Sequence, residues 1–416
     1  MLTPGLGPPF WRLLAASSVS NLADGVARVA LPLLATTLTR DPLLIAGLTT
    51  LAFLPWLLFA LVSGALVDRV DRVRAMAAAN LLRAALVGGL GVAAVLDAVS
   101  IGLLYAVAFG AGVAETGYDS AARAALPQVV RRDQLDTGNS LLATGEVVGQ
   151  SFLGAPVGSV LFAALAAAPL VATAGGYALA AVLVLRIGLD LRPVRTVKTS
   201  VRADIRAGMR WIWAHQLLRG LTLLTAVSAI GLFMTYGVLV LYVLDTLGLS
   251  ERAFGLLFLA AGGGAALGGV TAPWLGRRLG RTGGLVGAAL LSALATAAMG
   301  LTRAPLLAGA LFALAALAGT VWDVLAMSMR QALVPHELFG RVQGSYRTLV
   351  WGAIPLGSAA GGALAGLSSV PVVFVVGGLV HTLAAVAVWR LLRRHRRDVE
   401  ALFGTHPSAP MPAPER

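Results

Sequence analysis

The stretch Gly64-Ala65-Leu66-Val67-Asp68-Arg69-Val70-Asp71-Arg72-Val73-Arg74 separates two long apolar runs. The upstream run, residues 43–67, contains no charged residue, and the downstream run, residues 76–96, contains only Arg83. Each run is long enough to cross a bilayer as a helix, which takes about 20 residues. The charged residues between them therefore predict a tight turn at a membrane surface. Taken alone, such a basic turn is also compatible with a plain cytoplasmic end of a span.

The pattern Gly-x-x-x-Asp-Arg-x-x-Arg in this turn resembles the signature loop between spans two and three of the major facilitator superfamily. That family has glycine where this chain has Asp71. A degenerate second copy, Pro273-x-x-x-Arg277-Arg278-Leu279-Gly280-Arg281, lies about half the chain further on and contains the expected glycine. The resemblance implies a gating role for the charged residues and glycine of both copies, which are Gly64, Asp68, Arg69, Arg72, Arg277, Arg278 and Arg281. We expect Asp68 to bind the positive end of a helix in the other half and to pair with Arg69 or Arg72.

Glycines elsewhere repeat at a similar interval. Gly47 matches Gly255, and Gly158 in Pro-Val-Gly-Ser matches Gly357 in Pro-Leu-Gly-Ser at a slightly shorter interval. Internal repetition over half the length is typical of a transporter built from two six-span halves in parallel repeat.

Composition excludes most other classes of protein. The chain of 416 residues is 58% hydrophobic and only 12% charged, and its mean hydropathy is +0.83. These values indicate a membrane protein. A net charge of +13 does not indicate nucleic-acid binding here, because the basic residues lie at the ends of apolar runs. Among the 32 basic residues only Lys198 is not arginine, and arginine stays protonated, so a proton carrier has to be a carboxylate or a histidine.

The chain contains no cysteine, which excludes disulfides and thiolate metal sites. It has no phosphate-binding loop and no catalytic or metal-binding motif, so we expect no enzyme activity, cofactor or metal. The N-terminus shows no cleavable signal pattern, so we expect the first apolar run to be a retained span.

We predict an all-α membrane protein with twelve transmembrane helices in two six-helix halves, the major facilitator fold. The expected spans are 11–38, 43–67, 74–96, 99–123, 137–166, 168–187, 215–244, 251–276, 282–302, 304–330, 342–367 and 371–392. Residues 1–187 and 215–397 then form the two halves, 188–214 a cytoplasmic linker, and 398–416 a disordered tail.

Arginines predict the orientation. One set of loops contains only Arg40, Arg252 and Arg303, whereas the other contains both basic turns, the linker and the run from Arg390. The arginine-rich set should face the cytoplasm, which places both termini inside a cell membrane, plasma or inner. We expect a monomer.

The linker contains an amphipathic segment at 201–215, with Arg202, Arg206 and Arg210 beside an apolar stripe. We expect it to lie on membrane lipids of the inner leaflet and to join the halves without deep docking. Its sequence Asp204-Ile-Arg-Ala-Gly-Met-Arg-Trp-Ile-Trp213 resembles the text before the seventh span in relatives of the enterobactin exporter and macrolide-efflux proteins. A simple basic lipid anchor is the alternative.

Charged residues inside spans are costly and therefore candidates for function. The first span contains Asn21, Asp24 and Arg28. Positions i and i+4 share a helix face, so Asp24 and Arg28 can pair with each other. A local ion pair is the structural alternative to a role in transport.

The fourth span places Glu115, Asp119 and Arg123 along one face, and Glu146 lies in the fifth span. The face should line a cavity or contact the fifth span. Two ionised carboxylates at i+4 repel each other, so we expect one of Glu115 and Asp119 to hold a proton near neutrality. Asp24, Glu115, Asp119 and Glu146 are thus candidates for proton coupling. The alternative is a gate network of these acids with Arg123 and Arg83.

The C-terminal half offers Trp322, Asp323 and Trp351. Aromatic rings beside an acid suit an amphiphilic or cationic substrate, so we group these three with Asn21 as candidates for the substrate cavity. Packing of the bundle also accounts for a lone tryptophan.

The sequence thus predicts a secondary transporter that exports a small, amphiphilic molecule, drug-like or siderophore-like, by alternating access with proton antiport. Residues 154–159 partly resemble the antiporter signature of the fifth span, which favours export. An uptake symporter or lysolipid flippase of the same fold, and a non-transporting membrane receptor or scaffold, remain as alternatives.

Overall fold

The computed structural model describes residues 5–67, 70–131, 134–188 and 201–395 together with residue 399, without the side chains at 60–67, 136, 201–205, 336 and 337. The tail expected at 398–416 lies outside the described residues apart from residue 399. Every regular element in the described ranges is helical.

The first six spanning helices are α1 (Pro8–Leu38), α2 (Pro42–Val67), α3 (Arg72–Val95), α4 (Ile101–Val129), α5 and α6 (Ala168–Leu185). Helix α5 runs from Leu135–Val147 through a π-helical stretch, Val148–Gly154, to Ala155–Ala164. The linker helix is α7 (Val201–Ala214). The last six are α8 (Gln216–Gly237, extended by Leu239–Leu241 and π-helical Tyr242–Thr246), α9 (Glu251–Arg278), α10 (Gly280–Met299), α11 (Pro305–Leu333), α12 (His336–Leu367) and α13 (Val370–Arg394).

Length and apolarity qualify eleven of the described helices to cross a membrane. The twelfth, α1, has 31 residues and is more polar because it contains Arg12, Asp24 and Arg28. It packs mainly on α5 and α6, and its one carboxylate, Asp24, is held by protein partners. The predicted fold class is confirmed.

Helix packing follows the same scheme in both halves. In the first half α1 packs on α5 and α6, α2 on α4, and α3 on α4 and α6. In the second half α8 packs on α12 and α13, α9 on α11, and α10 on α11 and α13. The halves meet mainly where α2 packs on α12 and α5 on α9. These two contacts are equivalent under the repeat, as expected for an interface between duplicated halves.

Glycines decide how closely α5 and α12 approach α1 and α8. A Cβ on Gly158 would lie 2.7 Å from the carbonyl oxygen of Val26, and one on Gly361 would lie 2.6 Å from the Cα of Met234. Backbones come this close only where one of them lacks a side chain. The packing therefore pairs Gly158 with Gly361, and the pairing of Gly158 with Gly357 that the sequence suggested is wrong.

Helices α4, α11 and α12 extend beyond their predicted spans. Helices α4 and α11 continue to Val129 and Leu333, and α12 already begins at His336. The added turns of α4 and α11 contribute buried apolar residues, Leu126 and Leu333. Their burial extends these helices beyond the bilayer limits on which the prediction was based.

The linker helix docks on the second half. Gly208 of α7 is buried, and a Cβ there would lie 2.6 Å from the Ser345 hydroxyl of α12. Ile212 is 1% exposed and belongs to the apolar core of that half. The expectation of a helix without deep docking is therefore wrong. Gly208, placed between the arginines of the amphipathic pattern, makes the close approach possible.

We call the end of the bundle with the first residues of α1 and the linker helix the linker face, and the other end the distal face. At the linker face the Arg12 guanidinium donates to the Arg186 carbonyl, 2.9 Å away. At the distal face the halves are joined directly. Ser358 donates to the Ala46 carbonyl at 2.9 Å, and exposed Arg40 and Asp245 pair at 2.9 Å. The distal side of the interface is closed.

Candidate substrate cavity

A cavity of about 340 Å³ lies between the halves, at the middle of α1 and below the closed distal contacts. Its first-half wall contains charged and polar side chains, namely Asp24, Arg28, Arg83, Glu115 and Tyr177. Its second-half wall contains aromatic rings, namely Phe233, Tyr236, Phe254 and Phe258. The volume is in the range that accommodates a small ligand.

A buried ion pair forms the floor of the polar wall. Arg83 of α3 is 1% exposed, and its Nη2 binds Oδ1 of Asp24. The Tyr177 hydroxyl donates to the same oxygen at 2.6 Å, and the guanidinium lies 4.2 Å from the centre of the Tyr177 ring. Ser20 and Asn80 accept further hydrogen bonds from Arg83, at 3.3 and 3.4 Å. Helices α1, α3 and α6 are thus joined through two opposite charges that neutralise each other.

Arg28 takes a different role from the one the helix spacing suggested. The partner of Asp24 is Arg83, which lies two helices further along the chain, and the local pair with Arg28 is absent among the described residues. The i+4 rule relates only residues of the same helix. The packing of α3 against α1 places Arg83, which is more deeply buried than Arg28, next to Asp24. Arg28 is exposed and lines the cavity.

The aromatic wall is a connected set of rings. Phe233 lies between Phe53 of α2, which it contacts edge-on at 5.8 Å, and Tyr236, which it contacts at a tilt at 5.4 Å. Tyr236 and Phe258 both contact Phe312 with centroid separations of 5.9 Å. Such edge and tilted contacts fix the ring positions. The cavity therefore presents a preformed apolar surface opposite the charges.

The polar and aromatic walls occupy equivalent places in the repeat. A Cβ on Gly154 would contact the Leu22 carbonyl, as one on Gly357 would contact the Ile230 carbonyl. Since Leu22 corresponds to Ile230, the residue six positions on is Arg28 in α1 and Tyr236 in α8. Equivalent places in the two halves thus hold a cation in the first half and an aromatic ring in the second.

A smaller cavity of about 140 Å³ lies nearer the linker face. It is lined by Asp119 and Arg123 of α4, which pair at 3.1 Å, and by Arg347 and Trp351 of α12. Arg347 lies 4.6 Å from the centre of the Trp351 ring. Glu146 of α5 is exposed and within Coulombic range of these charges. Glu115 and Asp119 share a helix face but line different cavities.

Comparison with known proteins agrees with this architecture. A family profile described as transmembrane secretion effector matches residues 3–415. An uncharacterised facilitator-type transporter of Mycobacterium tuberculosis is 31% identical over 414 residues, which cover 94% of this chain and 93% of the relative.

The chain belongs to the major facilitator superfamily.

Further similarities fit that assignment. The multidrug efflux pump Tap of Mycolicibacterium fortuitum is 28% identical, with 94% of this chain and 97% of that protein covered. Among solved structures, a nucleoside transporter superposes with a TM-score of 0.75 at 12% identity, covering 92% of this chain and 99% of that one. An inward-facing bacterial homologue of the human lysosomal transporter Spinster gives 0.73 at 15% identity, covering 96% and 99%. These structures share the fold, and the facilitator is a multi-pass membrane transporter.

The other predicted cavity residues lie elsewhere in this facilitator. Asn21 accepts from the Gln150 side chain of α5 at 3.0 Å. Trp322 lines a small gap inside the second half next to Arg330. Asp323 is exposed on α11, outside the lining of the central cavity. Trp351 contacts Trp56 of α2 at 4.5 Å across the interface. None of these four side chains lines the central cavity, and their role in substrate binding stays a prediction.

The gating loop is described only in part. Asp68 and Arg69 lie outside the described residues, and Gly64 is described only as part of helix α2. Asp71, the departure from the facilitator signature, caps α3 by accepting from the Arg74 amide at 2.8 Å. In the second copy Gly280 has a φ of +70°, Arg277 is exposed, and Arg278 lies over the Trp274 ring. A capping carboxylate at Asp71 thus stands where the second copy has a glycine in the left-handed region.

Sequence reasoning gave Arg83 only a secondary place and missed Tyr177 and Tyr236. The signal for Arg83 was present, since it is the one charge in the apolar run 76–96 and buried charges need a partner. The tyrosines carried no comparable signal, because an aromatic residue in a span is ordinary.

Proposed function

We propose that this facilitator exports small amphiphilic molecules from the cell by alternating access, coupled to proton entry. The observation that carries the proposal is the central cavity, in which one wall is charged and the opposite wall is aromatic. A substrate with a polar end and an apolar body matches both walls. The description of the family as secretion effectors and the similarity to a multidrug efflux pump support export, and we place the chain in the enterobactin-exporter and macrolide-efflux branch.

The proposal includes an orientation. With the arginine-rich linker face in the cytoplasm, the closed distal contacts face outward and the structure is inward-facing. In this arrangement residues 1–187 and 215–397 move against each other as the two transport domains. The linker helix α7, docked on α12, moves with the second domain. Asp68 remains our candidate for the cytoplasmic gate.

Proton coupling is assigned to carboxylates. Glu115 lines the central cavity and makes no hydrogen bond within the described part of the chain, and Asp119 faces the cleft nearer the linker face. Both are open to exchange with water or substrate. Asp24 is held by Arg83 and Tyr177, which ranks it behind these two, and Glu146 stays a candidate because it is exposed in the same cleft.

The test uses the purified facilitator in proteoliposomes and a panel of cationic, anionic, zwitterionic and neutral amphiphiles. A pH gradient should drive uptake of at least one panel member into inside-out vesicles. The amides Glu115→Gln and Asp119→Asn should abolish this flux and preserve counterflow, which needs no net proton movement. Asp97→Asn, on the turn after α3 at the distal face, is the matched control. Full pH-driven flux in all four amides, at Asp24, Glu115, Asp119 and Glu146, would contradict the assignment.

A second experiment addresses the gate. Because the chain has no cysteine, a single cysteine in place of Ser120, which lines the smaller cavity, reports access from the linker face. Asp68→Asn should increase its labelling rate by a membrane-impermeant maleimide. An unchanged rate would remove Asp68 from the gate.

A further inference from the structure

We propose that the polar wall of the central cavity recognises a zwitterionic head, so that the preferred substrates are aromatic amphiphiles carrying one anionic and one cationic group. This inference rests on the proposed function, since it takes the central cavity as the substrate site.

Arg28 supplies the site for the anionic group. It is exposed to the cavity from the middle of α1, and no hydrogen bond or ion pair joins it to another described side chain. A guanidinium offers five donors in a planar fork that matches a carboxylate. One turn further along α1, Pro32 also lines the cavity, and as a proline it has no N–H to give to the Arg28 carbonyl.

Glu115 supplies the site for the cationic group. Its side chain lines the same cavity from α4 and has no hydrogen-bond partner among the described residues. It lies within Coulombic range of Arg83, which is bound to Asp24, and of Arg28; Glu115 and Arg28 do not form an ion pair with each other. They are thus near enough for one small molecule to reach both and too far apart to satisfy each other.

The remaining charges of the cavity do not alter this balance. Asp24 and Arg83 are bound to each other and to Tyr177, so they contribute no net charge. The uncompensated charged groups that line the cavity are then one cation, Arg28, and one anion, Glu115. Unpaired charges at this depth in a membrane protein are costly and are retained where they have a ligand to bind.

The aromatic wall determines what the apolar part of the substrate should be. Phe233, Tyr236 and Phe258 face the charges across about 340 Å³, and a planar ring system can stack on or against their faces. Neither a purely cationic nor a purely anionic amphiphile satisfies both free charges, because each leaves one of them desolvated and unpaired.

Three forms of one fluorescent molecule test the inference. Ciprofloxacin is a zwitterion with an aromatic body, its methyl ester is only a cation, and its N-acetyl derivative is only an anion. Binding is measured by fluorescence anisotropy with the full chain in lipid nanodiscs at neutral pH. We expect the zwitterion to bind at least about tenfold more tightly than either derivative, since each lacks one charged contact.

Variants assign the two contacts. Arg28→Gln should bring the affinity of the parent down to that of the ester, and Glu115→Gln should bring it down to that of the acetylated form. Arg28→Lys, which keeps the charge, should keep the preference, and Asp97→Asn should leave all three affinities unchanged. Thermal unfolding of each purified variant verifies that it is folded, and Glu115→Gln together with the three affinities of the unaltered protein carries the test should Arg28→Gln not be folded.

Equal affinities of the three forms for the unaltered protein would overturn the inference, as would a preference that persists in Arg28→Gln and Glu115→Gln. The proposed function is judged separately. If none of the three binds while other panel amphiphiles show pH-driven flux, the zwitterionic head is refuted and export stands. If no amphiphile of any charge is transported, the proposed function fails as well.

Discussion

Replacing Arg83 with methionine should destabilise the first half strongly. The change keeps much of the apolar volume but removes the cation that neutralises Asp24, whose side chain is only 11% exposed. Removing one member of a buried ion pair costs about 3–5 kcal/mol, because the remaining charge is left buried without compensation.

For Arg83→Met the structure indicates a loss of stability at the lower end of that range. Asp24 keeps the hydrogen bond from the Tyr177 hydroxyl at 2.6 Å, which continues to stabilise the carboxylate after Arg83 is gone. We therefore expect Arg83→Met to cost about 3 kcal/mol. Ser20 and Asn80 lose weaker contacts and have each other, at 3.2 Å, as an alternative partner.

A double-mutant cycle makes the prediction specific. Asp24→Asn in the Arg83→Met background removes the orphaned charge, so the double variant should recover most of the loss. The unfolding free energy is measured by SDS titration in mixed micelles, with tryptophan fluorescence as the signal. Single losses that simply add in the double variant would refute the pair as a coupled unit, and so would an Arg83→Met variant of unchanged stability.

Three further predictions concern packing and surface charge. Gly158→Ala should destabilise the chain by about 1–3 kcal/mol, because the new Cβ meets the α1 backbone. Gly175→Ala, where a Cβ meets nothing within 4 Å, should instead stabilise it by up to about 1 kcal/mol. The difference in unfolding free energy between these two matched variants checks both predictions. Gly208→Val should separate the linker helix from α12, seen as faster trypsin cleavage in the linker, and unchanged cleavage would contradict the docking. Arg40→Gln should change stability by less than about 1 kcal/mol, because Arg40 and Asp245 are 55% and 48% exposed, and a larger loss in thermal unfolding would show that the distal pair is stronger than its exposure implies.

Much of the architecture was predictable from the sequence. Apolar runs of spanning length, interrupted by basic turns, determine where helices begin and end, because a bilayer requires each crossing segment to satisfy its own backbone hydrogen bonds. The repeated loop motif indicated two halves. The family resemblance of residues 64–74 was confirmed by the match over residues 3–415. The assignment of the linker face to the cytoplasm stays a prediction from arginine placement.

Side-chain partners and cavity walls were decided by the tertiary structure. Helical periodicity relates Asp24 to Arg28 and Glu115 to Asp119, since it describes one helix at a time. The packing of helices against one another determines the rest. It brings Asp24 to Arg83 and places Glu115 and Asp119 in separate cavities. It also places Arg28 opposite Tyr236 and its neighbouring rings. Those depths depend on close backbone contacts at glycines such as Gly158 and Gly361. Contacts between helices far apart in the chain leave no period in the sequence, so only the folded bundle brings the charged wall and the aromatic wall together.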